Sequence, residues 1–169
     1  MINVIITIII YLILIIVQFV IPKYMPFNIW MVYPNFILMF VVYTALNKGI
    51  MKGQLTGSFY GLTWDVLSTD IFGVRTLSFT IAGYLAGSFN KKLNKNQPFT
   101  QIIVMSVGII VTHLILNIMY FILPESETIF VQNFELSYLM IFNIIVNILL
   151  APVIFRGFLL VDRIFHNEK

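Results

Sequence analysis

The chain has 169 residues, 60% of them hydrophobic and only 10% charged, with a net charge of +3, no cysteine and a mean hydropathy of +0.97. Soluble domains carry roughly 25% charged residues, so this composition excludes an ordinary soluble enzyme and describes an integral membrane protein. Without cysteine there are no disulfides and no thiolate metal sites.

Six membrane spans are expected, near residues 2–21, 29–47, 50–67, 71–89, 99–123 and 136–155, forming one all-α polytopic domain over 1–169. The first run holds no charge, and its twenty positions make about 30 Å of helix, the thickness of a hydrocarbon core. Its many isoleucines would favour a strand in water. In lipid a lone strand cannot satisfy its own backbone, so the run should be helical. A cleaved leader would have an early Lys or Arg, a shorter apolar core and a small-residue cleavage site. Pro22, Lys23 and Tyr24 follow instead, which reads as a retained span facing lipid. The second span is interrupted at Pro34. Residues 34–47 alone reach about 21 Å, so residues 29–33 should also lie at membrane depth.

The third span reads GQLTGSFYGLTWD from residue 53 to 65, with glycine at every fourth position. Gly53, Gly57 and Gly61 drift only about 40° per step, so they form a slowly winding groove. Such a face lets backbones approach closely in lipid and suggests a short, central third helix. It would serve packing within the bundle or a dimer interface. The fourth span carries a second ridge, Gly83 and Gly87 beside Ala82 and Ala86, and the two ridges could pack together.

Asp65 follows the glycine face near the outer membrane boundary, with Asp70 and Arg75 in the next bend. An ionisable group there is costly unless paired, wet or functional. Asp65 could cap the turn or pair with Arg75. It could equally contact a partner at an outward vestibule roofed by residues 22–28, 65–74 and 124–135, the last holding Glu125, Glu127 and Glu135.

The fifth span places His113 and Asn117 on one face, and the sixth repeats that spacing with Asn143 and Asn147. These form an interhelical polar ladder, or else a ligand pocket or proton relay. The sixth span should end near Pro152, with FRGFLLVDRIFH following as an interfacial helix or a seat for a cytoplasmic partner.

Lys48, Lys52, Lys91, Lys92, Lys95, Arg156, Arg163 and Lys169 fall on one side of this six-span arrangement, leaving Lys23 and Arg75 on the other. Basic residues mark the cytoplasmic side, so both termini should be cytoplasmic. Trp30, Tyr33 and Trp64 then fall near the outer boundary. The positive charge therefore reflects membrane orientation and not nucleic-acid binding. No zincin pair, phosphate-binding glycine loop or nucleophile elbow occurs. No catalytic residue, cofactor site or metal site is expected.

Residues 34–93 resemble the MreD family, the membrane component of the bacterial rod-shape and cell-elongation machinery. The matching features are Pro34 opening FILMFVVYTAL, the link NKGIMKG, Gly57 and Gly61 leading to Asp65 and Leu67, Gly73, and GYLAG before NKKL. Asn35 stands where the family often has an acidic residue. The resemblance implies a non-enzymatic scaffold of the inner membrane. Its partners would be the bitopic protein MreC, with the actin-like MreB and the peptidoglycan polymerase and transpeptidase alongside. It also implies a fold similar to the six-helix substrate-binding components of energy-coupling-factor transporters. A small-molecule-binding transport component is thus the alternative function, although the first span lacks the paired alanines such components use for docking.

Overall fold

The structure is a computed structural model that describes residues 2–20, 24, 34–68, 71–95, 97–122 and 137–166. Among the described residues the chain forms six helices: α1 (Ile2–Phe19), α2 (Phe36–Lys48), α3 (Ile50–Leu67), α4 (Val74–Ser88), α5 (Pro98–Ile122) and α6 (Ser137–His166). Windows of α5 (Pro98–Met119) and α6 (Ile144–Arg163) are long and apolar enough to cross a membrane. Residues 29–33, expected at membrane depth, lie outside the described residues.

Helix α2 is the centre of the bundle and touches all five other helices. From Ile37 to Leu46 every residue except Phe40 is buried. The glycine face suggests the third helix as the central one, but the second takes that place. A helix that is apolar all round can accept neighbours on every side. By contrast, α3 turns Met51, Leu55, Phe59, Leu62 and Val66 outward and packs only through its other side, where Tyr60 and Trp64 stand beside the glycines.

A single residue joins α2 to α3. Gly49 has φ +89°, a left-handed value that favours glycine. Its N–H donates to the Ala45 carbonyl at 2.9 Å, ending α2, while its own carbonyl accepts from Gly53 N at 3.0 Å, starting α3. The chain thus reverses with both backbone groups of Gly49 paired.

Helices α3 and α4 then meet backbone to backbone, running antiparallel. A Cβ on Gly53 would lie 2.6 Å from the Gly83 carbonyl, and one on Gly61 would lie 2.5 Å from Thr76 Cα. A Cβ on Gly87 would come within 2.6 Å of Ile50 Cα, and one on Gly57 would collide with the Phe79 carbonyl. Real Cβ atoms essentially never approach closer than 3.0 Å. Ser58 and Thr80 share a hydrogen bond of 2.8 Å across this seam. Ser78 Oγ and Thr112 Oγ1 instead turn back on their own helices, to Val74 O and Gly108 O, which pairs these buried hydroxyls without a neighbour.

Helix α6 continues through Pro152 to His166 as one thirty-residue helix, where a span ending near Pro152 and a separate interfacial helix were expected. Contacts beyond the proline explain the difference. The Phe158 ring packs edge-on against Phe40 at 5.1 Å, and Phe155 against Tyr43 at 5.7 Å. Farther on, the Tyr43 hydroxyl donates to Asp162 Oδ2 at 2.9 Å, and Lys48 Nζ lies 3.2 Å from Asp162 Oδ1. These contacts hold the helix on α2 past the hydrogen bond that proline cannot make.

Substituting Gly57→Ala or Gly61→Ala should lower the midpoint of thermal unfolding in detergent, by a stability loss of about 1–3 kcal/mol typical of overpacking. Leu62→Ala, on the exposed side of the same helix, should leave the midpoint near wild type. Equal midpoints for all three would show that the seam yields without cost.

Candidate functional site

The polar side chains of the described bundle gather where helices begin. Thirteen residues of α2 rise only about 20 Å, roughly 10 Å less than a hydrocarbon core, so one end of this helix starts inside the bundle. The first backbone N–H groups of a helix have no partner within it, and lipid offers none. Three amide side chains from three elements supply them. Asn35, directly after Pro34, accepts from Leu38 N at 2.9 Å as the local N-cap. Gln18 of α1 accepts from Phe36 N at 2.9 Å. Asn147 of α6 accepts from Asn35 N at 2.7 Å and is only 2% exposed.

The start of α4 follows the same logic with a charged group. Its N-cap position is Gly73, at φ +91°, which has no side chain to cap with. Asp65, at the end of α3, does so from across the bend. Its Oδ1 accepts from Arg75 N at 3.1 Å, and its Oδ2 accepts from Thr76 N at 3.0 Å and from Thr76 Oγ1 at 2.5 Å. A carboxylate at the positive end of a helix dipole is favourable. Asp65 is 3% exposed, and both its oxygens accept hydrogen bonds from the first turn of α4. It meets Arg75 through the backbone. The Arg75 guanidinium lies over the Trp64 ring, 5.2 Å from its centroid, and Trp64 packs in turn on Phe19 at 4.8 Å and Phe79 at 5.9 Å. Asp70 and the outer loops at 25–33 and 123–136 lie outside the described residues.

The asparagines expected to form a ladder with His113 are distributed differently. Asn147 serves the start of α2, and Asn117 is exposed. The side chains of His113 and Asn117 make no hydrogen bond to another described residue. The side chain of Asn143 is outside the described set. In the sequence Asn35 stands out only as a departure from a family pattern. The signal that identifies Asn35 is a capping residue placed just before an apolar run. Nothing local identifies Gln18, because its partner lies on another helix.

At the opposite end of α2 the basic residues converge. Asn90 Nδ2 donates to Leu46 O at 2.5 Å and Lys95 Nζ to Asn47 O at 3.5 Å, drawing the lysine-rich link between α4 and α5 toward Lys48. Asp162 joins them through Lys48. Among the described residues no group of three metal-ligating side chains occurs.

Residues 1–161 match the family model of MreD, described as rod shape-determining protein MreD. The chain belongs to this family, a non-enzymatic shape-determining membrane protein. No curated protein and no solved structure gives a match. The likeness to transporter substrate-binding components therefore has no support from a known structure.

Replacing Asn147 by Leu should leave the Asn35 N–H buried and unpaired, a loss of about 1–3 kcal/mol. Asp65→Ala should also destabilise, since removing a helix cap costs about 0.5–2 kcal/mol even at exposed sites. Asn117→Leu should fall within about 0.5 kcal/mol of wild type, as expected at an exposed position. Thermal unfolding of the three purified variants tests this, and equal losses at Asn117 and Asn147 would revive the ladder.

Proposed function

We propose that this member of the MreD family is a scaffold of the rod-shape complex, holding bitopic MreC in the membrane beside MreB and the peptidoglycan polymerase and transpeptidase. Family membership across residues 1–161 is the observation that carries the reading, since it implies a role in rod-shape determination. The geometry is in keeping with a scaffold. Gln18, Asp65 and Asn147 each hold one helix to another, and Asn35 caps its own helix beside them. A binding pocket or proton relay needs such groups turned toward a cavity or a chain of exchangeable partners.

On this reading Asp65 serves the fold, and Asp65→Ala reduces MreC capture only in proportion to the folded protein lost. The basic end of the bundle faces the cytoplasm, as do both termini, because lysine and arginine are retained on that side of the inner membrane. The contacts linking Lys48, Lys95 and Asp162 support assigning these residues to one end.

Two measurements test the proposal. Affinity purification from native membranes should return MreC as a stoichiometric partner; a transporter ATPase module in its place would defeat the scaffold. Single cysteines at Lys92 and Lys169 should be labelled only from the cytoplasm and one at Glu127 only from outside. Labelling of Lys92 and Glu127 from the same side would overturn the topology.

A further inference from the structure

Helix α6 presents a charged group to which no described residue gives a counter-charge. Its apolar window, Ile144–Arg163, is 17% buried, against 33% for the corresponding window of α5. Phe142, Ile145, Leu149, Val153 and Leu160 are all exposed, and Arg156 is exposed in line with them. These positions are spaced by threes and fours and fall within an arc of about 60–80°, so they form one stripe.

Depth makes Arg156 unusual. Asp162 lies level with Lys48 at the basic end of the bundle. Arg156 is six residues earlier on the same helix, about 9 Å nearer the middle. Side chains lean toward the N-terminus of their helix, and α6 runs toward the basic end. The natural lean of Arg156 is therefore away from the headgroups that a snorkelling arginine must reach. Among the described residues it has no acidic partner. The next residue, Gly157, has nothing within 4 Å of where a Cβ would stand, which leaves the backbone open beside the charge.

From this we infer that the exposed stripe of α6 is the docking face for a membrane-spanning helix that carries a carboxylate one to two turns inside its basic-side end. Acyl chains offer the guanidinium no counter-charge, whereas a carboxylate on a packed helix does. The spacing of the stripe suits helix-on-helix packing, and Gly157 permits close approach. The inference rests on the scaffold reading, with the single span of MreC as the occupant.

The test uses the full chain expressed with MreC in native membranes. A photo-crosslinking residue placed at Val153 or Leu160 should trap MreC, while the same residue at Leu55 or Phe59 on α3 should not. Arg156→Glu should reduce copurified MreC by about tenfold or more, in the range measured for close interfacial charge pairs. Arg156→Lys should retain most of it. Both variants should melt as wild type does, and reversing one carboxylate in the MreC span to lysine should restore capture by Arg156→Glu. Crosslinks from α6 only to lipid, or only to a second copy of this chain, would overturn the docking face. So would wild-type capture by Arg156→Glu. If the unmodified protein captures no MreC at all, the scaffold reading fails first and takes this inference with it. Capture that ignores Arg156 defeats the docking face alone. Because the crosslinking arm keeps Arg156 in place, it decides the matter even if a substituted chain folds poorly.

Discussion

A backbone N–H that begins a helix inside hydrocarbon must find an acceptor, and much of this bundle is arranged around that requirement. Two helices, α2 and α4, are too short to span a bilayer alone, so their first turns start among other helices. Neither is left uncapped. The start of α2 is held by Asn35, Gln18 and Asn147, and that of α4 by Asp65. Each capping group from another helix also fixes the position of that helix, so one set of hydrogen bonds satisfies the backbone and orders the bundle. Losing such a group would both expose a donor and release a neighbour.

Packing follows from the same economy of space. The α3–α4 seam sets glycines directly against the facing backbone, and Gly49 reverses the chain in one residue, so α2, α3 and α4 form a tight antiparallel unit. In lipid, apolar side chains gain little by leaving the solvent, and close van der Waals contact supplies the association instead. The loosely covered helices, α1 and α6, are joined to this unit differently. They reach it through polar pins at one end and aromatic contacts along its side. A close-packed centre with accessible flanks suits the scaffold role proposed for this chain.

That division also bears on where partners bind. A scaffold needs surfaces that discriminate, and a lipid-facing row of isoleucines provides little discrimination. The polar side chains at the starts of α2 and α4 are occupied with backbone donors. Charge on an exposed helix face, as at Arg156, is then a means of selecting one membrane helix over another, since a mismatched partner would leave the guanidinium uncompensated.

The sequence by itself determined the solvent, the helical class and the family, because long uncharged runs cannot be anything else in lipid and the Pro34, glycine and Asp65 motifs are local strings. It also marked Gly53, Gly57 and Gly61 as a face, since periodicity is a one-helix property. Only the tertiary structure decided what that face meets, which helix is central and where Asn147 and Asp65 direct their oxygens. The reason is that each of those facts belongs to a pair of helices. Asn147 lies 112 residues from the N–H that it accepts, and no spacing along one chain records that partner. Helix α6 makes the same point. Proline argued for an end at residue 152, and aromatic and ionic contacts with α2 carried the helix on to His166. Local propensity is a weak prior when tertiary contacts on the far side of a breaker outweigh it.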